Sequence, residues 1–511
     1  MLVQNFLQNN AARTPDKVAL VFQEQRLTYQ EIDAQANRLA QALLDRGVQR
    51  GDRVAIYLPN SVEAAVAIFA TLKAGAVFSV INPTTKLDKL VYILNDCRVT
   101  ELVTQARRVG MLEELQDRVP SLESVVLCGK GADKAVEGRR EFLAFEALQQ
   151  NYPNQLPPQK CIDVDLACLI YTSGTTGEPK GVMSAHYNMV AAASSIIQYL
   201  KNVPEDIVIN VLPLSFDYGL YQLLMTFKFG GTLVLEKSFT YPTAVLKLME
   251  KERVTGFPGV PTIFAILLQM DLSKYDLSSL RYITNTAAAL PPSHILQLRQ
   301  KFPWATLYSM YGLTECKRVS YLPPEELDRR PGSVGIAMPN TEVWIVDENG
   351  NRVGPGIVGE LVVRGSHVMR GYWEKPEATA ERYRPGPIPG ERVLYTGDLF
   401  KMDEKGFLYF VARKDDIIKS RGEKVSPKEV ENVLYSLDGV VEAAVIGVPD
   451  EILGEALKAF VVRRDDNTLT ERDVLRHCTQ HLEDFMVPKY IEFRSDLPKT
   501  TSGKIKKTGL R

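Results

Sequence analysis

The feature that most constrains the fold is a repeated alternation of apolar, strand-like runs with amphipathic helical segments. It begins at residues 27–58, "LTYQEIDAQANRLAQALLDRGVQRGDRVAIYL", where a polar turn precedes a helical pattern with one apolar face, a glycine stop and an apolar strand. Further buried strands are predicted at "ELVTQ", "SVVLC", "LACLIYT", "IVINVLPL", "GTLVLE" and "LRYITNT". Helices that cover a mostly parallel sheet produce this pattern, so the predicted fold class is α/β.

The pattern changes twice toward the C-terminus. From about residue 335, short strands and Gly/Pro turns in "TEVWIVDENGNRVGPGIVGELVVRG" predict an antiparallel β-subdomain. After "GFLYFVARKDD" at 406–416, a turn, an amphipathic helix over 427–437, further strands and a basic tail predict a small α+β domain. We therefore expect an N-terminal core over 1–413, with two α/β subdomains and a distorted antiparallel β-subdomain, and a C-terminal domain over 414–511.

Composition argues against several classes of partner. Lys plus Arg (61) nearly balances Asp plus Glu (62), so the 511-residue chain has no electrostatic footprint for nucleic acid. Six scattered Cys without a CxxC pair and five His predict no zinc site and a reducing, cytoplasmic compartment. The N-terminus lacks the pattern of a secretory signal. The most apolar window, 63–81, is interrupted by Lys73 and Gly75, so we expect a buried helix and strand rather than a membrane span.

The stretch "YTSGTTGEPKG" at 171–181 predicts a phosphate-binding loop at the end of a buried strand. Backbone amides and hydroxyls donate to phosphate oxygens, glycines permit close approach, and the lysine adds positive charge. The residues concerned are Thr172, Ser173, Gly174, Thr175, Thr176, Gly177 and Lys180. Two residues separate Gly177 from Lys180, which excludes the GxxxxGK[ST] loop of nucleotide kinases. Taken alone, the stretch also fits a surface turn.

The same stretch is typical of the AMP-forming adenylating enzymes, the superfamily of acyl-CoA synthetases, peptide-synthetase adenylation domains and luciferase, which this sequence resembles. The resemblance continues in order through "YGLTE" at 311–315, "YTGDL" at 395–399, "ARKDD" at 412–416 and "TSGK" at 501–504. It implies ATP- and Mg²⁺-dependent activation of a small carboxylic or amino acid as acyl-AMP, with release of pyrophosphate. It also implies acyl transfer to the phosphopantetheine thiol of CoA or of a separate carrier protein.

The "YGLTE" motif implies a nucleotide and metal site. By resemblance, Tyr311 packs against adenine beside Gly312, Thr314 contacts the α-phosphate, and Glu315 holds magnesium together with Thr176. A flat ring and a hard oxygen ligand suit these roles. In isolation the same run also fits a strand end followed by a helix cap.

"NTAAAL" at 285–290 occupies the place of the family's Gly-rich adenine strip. Asn285, Thr286 and Ala287 replace its usual glycines, and the small Ala287 and Ala288 still allow adenine to lie close. The resemblance makes Asp398 the acceptor of both ribose hydroxyls and Arg413 its assistant. Without the family, Asp398 fits a turn residue.

Joining a carboxylate to the α-phosphorus of ATP brings two anions together. No general base is needed because the acid is already ionised at pH 7. The site must instead supply positive charge and alignment. Lys504 resembles the family's lysine that bridges the acid and the α-phosphate, whereas Lys499, Lys506 and Lys507 fit a solvated basic tail.

The second half-reaction requires a change of site. By resemblance, the C-terminal domain is mobile and rotates about a hinge at Asp415, which removes the adenylating lysine. The stretch "IKSRGEKVSP" at 418–427 then reaches the site, where Lys419 and Gly422 are assigned to pantetheine. From its residues alone, this stretch predicts a hairpin with a glycine turn.

The acid pocket is assigned to Phe216, Asp217, Tyr218 and Gly259. Many acyl- and aryl-CoA ligases have His where this chain has Phe216, whereas peptide-synthetase adenylation domains have Phe-Asp. In those domains the Asp pairs with the substrate ammonium, so Asp217 raises the possibility of an amino acid such as proline. Alternatively, Asp217 binds a backbone amide or faces away.

The main hypothesis is an acid–thiol ligase that works through acyl-AMP. The alternative is a freestanding amino-acid adenylation enzyme, because the N-terminal stretch "NNAARTPDKVALVFQEQRLTYQEI" resembles peptide-synthetase domains. The ending "TTSGKIKK" resembles CoA ligases, and no carrier domain follows it. An adenylate-forming enzyme without a thioester step and a non-enzymatic nucleotide-binding relative are the remaining possibilities.

Overall fold

The structure, a computed structural model, describes residues 1–139, 141–173, 178–286, 288, 290–414, 416–420, 423–450, 454–464, 469–500 and 503–510. Within these ranges the side chains of 173, 419, 424 and 454 are not described. The chain divides into two compact units. Unit 1 contains Met1–Pro258, Thr314–Lys317 and Gly365–Tyr383, and unit 2 contains Gly259–Leu313, Arg318–Arg364 and Arg384–Arg511.

The helices are α1 Asn5–Arg13, α2 Tyr29–Asp45, α3 Val62–Lys73, α4 Leu87–Asp96, α5 Val109–Arg118, α6 Ala132–Ala135, α7 Phe145–Asn151, α8 His186–Leu200, α9 Asp217–Phe229, α10 Pro242–Lys251, α11 Pro261–Gln269, α12 Pro292–Lys301, α13 Pro376–Arg382, α14 Pro427–Ser436 and α15 Glu471–His481. The strands are β1 Val18–Phe22, β2 Gln25–Thr28, β3 Arg53–Tyr57, β4 Val77–Val80, β5 Val99–Gln105, β6 Ser124–Cys128, β7 Phe142–Ala144, β8 Leu166–Ser173, β9 Pro179–Ala185, β10 Ile207–Asn210, β11 Thr232–Leu235, β12 Gly256–Gly259, β13 Tyr282–Asn285, β14 Thr306–Tyr311, β15 Ser320–Tyr321, β16 Ile336–Ala337, β17 Glu342–Val346, β18 Gly359–Arg364, β19 Tyr383–Pro385, β20 Arg392–Met402, β21 Leu408–Arg413, β22 Ile418–Ser420, β23 Glu423–Val425, β24 Val440–Asp450, β25 Gly454–Arg463 and β26 Tyr490–Arg494.

Unit 1 contains two mostly parallel sheets. The first has the order β7-β6-β5-β3-β4-β8-β9, in which only the β8/β9 pair is antiparallel. In the second, β10 pairs in parallel with β11 and β12, β11 pairs with β1, and β2 closes the edge as an antiparallel strand. Both sheets carry the helical alternation that the sequence predicts.

The strands of unit 2 have other arrangements. Strands β13 and β14 are parallel, and β15 and β16 continue as antiparallel neighbours. The predicted antiparallel β-subdomain is the sheet β17-β18-β20-β19 with β21 beside β20. The C-terminal sheet has the order β23-β22-β25-β24, with β26 parallel to β25.

Helix α2 shows why these segments adopt their predicted elements. Thr28 and Glu31 form a capping box at its N-terminus, and the predicted apolar face is fully buried. The apolar window at 63–81 folds as α3 followed by β4, as expected. Lys73, which interrupts this window, donates to Asp33 Oδ1 at 2.5 Å and to Asn37 Oδ1 at 2.6 Å, so its buried charge is paired.

The predicted fold class is confirmed, because the α/β sheets, the antiparallel β-subdomain and a C-terminal α+β segment are all present. The predicted hairpin at 418–427 is confirmed by the antiparallel pairing of β22 and β23. The division at residue 413 stays a prediction. None of the helices in the described ranges is both long and apolar enough to cross a membrane.

Candidate active site

The two ends of the predicted phosphate stretch lie on paired strands. Strands β8 and β9 are antiparallel, and Thr172 lies opposite Lys180. The sequence pattern did not reveal β9. The Tyr171 hydroxyl is used elsewhere, because it donates to Asp96 Oδ2 at 2.6 Å. A Cβ at Gly181 would lie 3.1 Å from the Tyr171 ring, so this glycine gives the ring its space.

In unit 1, both Lys180 and the predicted metal ligand Glu315 contact Tyr372. Lys180 Nζ lies 5.5 Å from the centroid of the Tyr372 ring. The Tyr372 hydroxyl donates to Glu315 Oε1 at 2.7 Å. Burial and then the Glu315 carboxylate raise the pKa of Tyr372 well above its usual value, so the phenol stays a donor. The carboxylate is therefore held in a fixed orientation near a cation.

The backbone around Glu315 is also fixed. Its carbonyl accepts from the Met369 N–H at 2.9 Å, and the Tyr383 hydroxyl donates to the same carbonyl at 3.5 Å. The rings of Tyr372 and Tyr383 meet edge to face with centroids 5.9 Å apart. Tyr372 and Tyr383 were not predicted as site residues, because they are remote from the "YGLTE" motif in sequence.

Unit 2 gathers the residues predicted to hold adenine and ribose. Tyr311, at the end of β14, donates its hydroxyl to Asp398 Oδ2 at 2.6 Å. Asp398 on β20 lies opposite Arg413 on β21, and Arg413 Nε lies 3.5 Å from Asp398 Oδ1. The Tyr311 ring packs edge to face on Phe400 with centroids 4.8 Å apart. Motifs far apart in sequence thus form one cluster, and Gly312 follows Tyr311 directly.

The predicted adenine strip follows β13 in the same unit. Asn285 Nδ2 donates to the Ala288 carbonyl at 3.1 Å. Thr286 is buried, and Arg318 donates to its Oγ1 at 2.8 Å. Ala288 is exposed. The hydroxyl of Thr286 therefore already accepts a hydrogen bond from Arg318.

Lys504 lies in a tight turn of unit 2. Its N–H donates to Thr500 Oγ1 at 3.1 Å, and its carbonyl accepts from the Thr500 N–H at 2.7 Å. Gly503 has φ +79°, and a Cβ there would lie 3.0 Å from Thr262 Oγ1 and 3.1 Å from Val260 Cγ2. The turn therefore lies against the start of α11, next to Gly259.

Two neighbouring lysines are not simply solvated, and that expectation was wrong for them. Lys499 Nζ lies 2.8 Å from Glu442 Oε1, and Lys507 Nζ lies 2.8 Å from Glu431 Oε1. These pairs attach the basic tail to the C-terminal sheet and α14 of the same unit.

The predicted acid-pocket residues of unit 1 lie at the start of α9. Phe216 is the N-cap residue, Asp217 opens the helix and is buried, and the rings of Phe216 and Tyr218 meet edge to face with centroids 6.5 Å apart. Gly219 is required, since a Cβ there would lie 2.3 Å from the Pro213 carbonyl. Gly259, in unit 2, is buried, and a Cβ there would lie 2.5 Å from the Phe264 ring.

Lys317 is a buried residue close to Glu315 and Asp217 that sequence reasoning did not single out. It follows Glu315 by two residues, has φ +64°, and is only 3% exposed. Burial lowers the pKa of Lys317, and the Asp217 carboxylate is first among the charges that oppose this shift. A lysine beside an arginine usually indicates a surface position, so no pattern in the sequence revealed its burial.

Several predicted residues lie outside the described part of the chain. These are Gly174, Thr175, Thr176, Gly177, Ala287, Asp415 and Gly422, and the side chains of Ser173 and Lys419. Thr314 begins the short segment of unit 1 that carries Glu315.

The motifs, the hairpin loop and the residue clusters define an adenylate-forming enzyme. The model of the AMP-binding enzyme family matches residues 7–373, and that of the AMP-binding enzyme C-terminal domain matches residues 429–504. The chain belongs to the AMP-binding enzyme family.

Relatives extend over nearly the whole chain. The long-chain-fatty-acid–CoA ligase of Bacillus subtilis (strain 168) is 34% identical over 98% of this chain and 93% of its own length. ATP-bound MatB from Rhodopseudomonas palustris has a TM-score of 0.89 at 31% identity, over 100% of this chain and 98% of its own. The anthranilate CoA ligase AuaEII in complex with anthranoyl-AMP has a TM-score of 0.91 at 29% identity, over 100% of this chain and 96% of its own.

These relationships confirm the predicted chemistry at the level of class. The protein is an AMP-forming acid–thiol ligase, which activates a carboxylic acid with ATP as acyl-AMP, releases pyrophosphate and transfers the acyl group to a thiol. The roles of individual residues stay predictions.

Proposed function

We propose that the protein is a Mg²⁺-dependent acyl-CoA synthetase that uses CoA as its acyl acceptor. The observation that carries this proposal is the arrangement in unit 1, where Tyr372 contacts the cation of Lys180 and orients the carboxylate of Glu315. A cation and an oriented carboxylate next to a phosphate loop suit a metal-bound triphosphate. The names of two relatives, a long-chain-fatty-acid–CoA ligase and an anthranilate CoA ligase, support CoA as acceptor.

The residues present fit Mg²⁺. This ion takes one or two carboxylates and completes its octahedral shell with substrate phosphates and water. Glu315 supplies one carboxylate, whose Oε1 is oriented by Tyr372 at 2.7 Å, and Thr176 is its proposed companion. The described ranges contain no group of three or more His, Cys, Asp or Glu side chains placed to hold a metal. The phosphates of ATP therefore have to supply further ligands. When bound, the ion neutralises charge on the phosphates.

The nucleotide roles follow the two clusters. We assign Thr172 and Lys180 to the phosphates, with Lys180 on the departing pyrophosphate. Asp398, steadied by Tyr311 and Arg413, accepts from the ribose hydroxyls. Because both Asp398 oxygens already have partners, binding of ribose requires that they be shared or exchanged. The Tyr311 ring is the proposed adenine contact.

Lys504 supplies the charge that brings the two anions together. A fixed ammonium between a carboxylate and a phosphate lowers their mutual repulsion, and this electrostatic term dominates transfers of this kind. The turn that carries it is fixed by Thr500 and Gly503. Thioester formation then needs a different arrangement, with rotation at Asp415 and with Lys419 and Gly422 near pantetheine.

A carrier protein presents the same pantetheine thiol as CoA, so the acceptor needs a direct test. Full-length protein is incubated with ATP, Mg²⁺ and a panel of fatty, aryl and amino acids, once with CoA and once with a phosphopantetheinylated carrier protein. We expect acyl-CoA and AMP to appear together by chromatography and mass spectrometry. Acylation of the carrier protein alone would instead support the carrier-loading alternative.

A further inference from the structure

Lys317 is a buried cation whose Nζ has no hydrogen-bond partner in the described part of the chain. Its side chain is 3% exposed, and no acceptor for its Nζ lies among the described residues. Buried ammonium groups are normally paired, so an unpartnered one needs a physical explanation. A ligand that brings its own acceptor is one such explanation, and it is the one that the surroundings favour.

The first turns of α9 lie against this ammonium. Lys317 Nζ is 5.7 Å from the centroid of the Tyr221 ring. Asp217 is one helical turn before Tyr221, on the same face of α9, and its carboxylate acts on Lys317 electrostatically. The carboxylate of Glu315 acts on it as well. The predicted acid-pocket residue Asp217 and this lysine therefore belong to one polar group.

The β8/β9 hairpin connects this group to the phosphate end of the site. Thr172 and Cys168 lie on the same face of β8, and they pair across the hairpin with Lys180 and Ser184. Four residue steps separate Thr172 from Cys168, which is about 13 Å along the strand. Cys168 is among the titratable groups close enough to Lys317 to affect its pKa, so Lys317 lies toward the end of this face that is remote from the phosphate loop.

A second polar atom without a partner is found at that remote end. Ser184 is fully buried, and its Oγ has no hydrogen-bond partner among the described residues. Lys317 and Ser184 are two buried donors without acceptors in the described ranges. They fit a substrate that carries an oxygen beyond its reacting carboxylate.

The charges of Lys317 and Asp217 indicate which kind of substrate oxygen fits next to them. The Asp217 carboxylate acts on Lys317 electrostatically without a hydrogen bond to it, and a substrate ammonium would bring a second cation next to Lys317. A second substrate carboxylate would lie near Asp217, which is also unfavourable. A neutral carbonyl or hydroxyl oxygen accepts from the ammonium and from the Ser184 hydroxyl without changing the net charge.

We infer that Lys317 is a specificity-determining residue, which donates a hydrogen bond to a neutral oxygen in the acyl part of a hydroxy- or oxo-substituted carboxylic acid. The inference rests on the proposed adenylation function and deepens it. It also gives Asp217 a different role from the predicted one. Asp217 is the counter-ion of Lys317 rather than the partner of a substrate ammonium.

The test is acid-dependent ATP–pyrophosphate exchange with sets of acids of equal chain length, either unsubstituted or bearing a hydroxyl, oxo, second carboxyl or amino group. We expect kcat/KM for the best hydroxy or oxo acid to exceed that of its unsubstituted counterpart by about tenfold or more, as for a hydrogen bond to a charged group. Lys317→Met, which keeps the length and removes the donors, should abolish this preference by lowering kcat/KM for the substituted acid more than for its unsubstituted counterpart. Lys317→Gln, a neutral donor, should restore part of it.

The outcomes separate the two proposals. A preference for unsubstituted, dicarboxylic or amino acids, or a preference that survives Lys317→Met, would overturn the assignment of Lys317 alone. An equal fall for every acid in Lys317→Met would also overturn it, since this indicates a structural role. If the wild-type enzyme exchanged pyrophosphate with no acid at all, the proposed adenylation function would fail as well.

Discussion

The Tyr311 hydroxyl donates a 2.6 Å hydrogen bond to Oδ2 of Asp398, joining a residue at the end of a parallel strand to one on an antiparallel strand. Arg413 approaches the other carboxylate oxygen, Oδ1, at 3.5 Å. The carboxylate is therefore oriented before any ribose binds, and its hydroxyl partner lies on the ring proposed to contact adenine. This relationship leads to the first prediction.

Tyr311→Phe keeps the ring and removes the hydrogen bond to Asp398. Because a single hydrogen bond contributes about 0.5–1.5 kcal/mol, we expect KM for ATP to rise by between about twofold and about tenfold. The measurement is pyrophosphate exchange at varied ATP. Tyr409→Phe is the matched control, since that hydroxyl contacts Arg330 and Asp403 elsewhere in the same sheet. An equal effect of both variants would contradict the assignment.

Tyr372→Phe tests the orientation of Glu315. The variant keeps the ring under Lys180 but removes the 2.7 Å donor to the carboxylate. Groups that orient a metal ligand typically change metal affinity about 10- to 100-fold, so half-saturation of exchange by Mg²⁺ should move to higher concentration by about tenfold. In Tyr383→Phe, which loses only a 3.5 Å contact to the Glu315 carbonyl, the Mg²⁺ dependence should stay near wild type. Identical Mg²⁺ curves for Tyr372→Phe and wild type would refute the role of Tyr372.

Lys504→Ala should abolish acyl-AMP formation while leaving thioester formation from supplied acyl-AMP largely intact. Only the first step needs its charge between the acid and the α-phosphate. Lys499→Ala is the control, because Lys499 pairs with Glu442 and has no proposed contact with substrate. The two half-reactions are measured separately. Equal loss of both steps in Lys504→Ala would contradict the proposed domain rotation.

A buried histidine should make stability depend on pH. His186 is 1% exposed, its Nδ1 accepts from the Val3 N–H at 3.2 Å, and burial lowers its pKa from 6.5 to about 4. In the unfolded chain His186 is protonated below about pH 6.5, whereas in the folded chain it is protonated only below about pH 4. The free energy of unfolding therefore decreases as pH falls through this window. The shift corresponds to a loss on the order of 3 kcal/mol.

His186→Asn keeps an acceptor and removes the titration, so its melting temperature should fall less than that of wild type between pH 7 and pH 4. Glu101 gives stability the opposite pH dependence. Burial raises its pKa to about 7, so its contribution to stability is lost as pH rises. Comparing the variant with wild type isolates His186, since Glu101 is present in both. Parallel pH profiles would show that His186 does not contribute.

Most of the fold was predictable because the period of apolar residues is a local property. Strand β9 was missed, since it begins with Pro179 and contains Gly181, two residues that disfavour strands. The glycine is explained only by the Tyr171 ring packed against it. This contact lies between paired strands, so residue preferences within the segment do not reveal it.

Short motifs predicted the candidate site residues Glu315, Asp398 and Lys504, whose roles stay predictions. The partners that orient these residues were not predictable, because Tyr372 reaches Glu315 only in the folded chain. The pairing of Lys499 and Lys507 with remote glutamates has the same cause. Lys317 gave no sequence signal, because burial of a lysine depends on packing of α9 and β8 around it.

The central claim is that the protein joins a carboxylic acid to the α-phosphate of ATP. Acid-dependent exchange of labelled pyrophosphate into ATP, measured with full-length protein, Mg²⁺ and a panel of fatty, aryl, hydroxy, oxo and amino acids, tests it most directly. The account predicts that at least one acid raises exchange well above the no-acid background and that omission of Mg²⁺ abolishes it. Exchange that no acid stimulates would contradict the account.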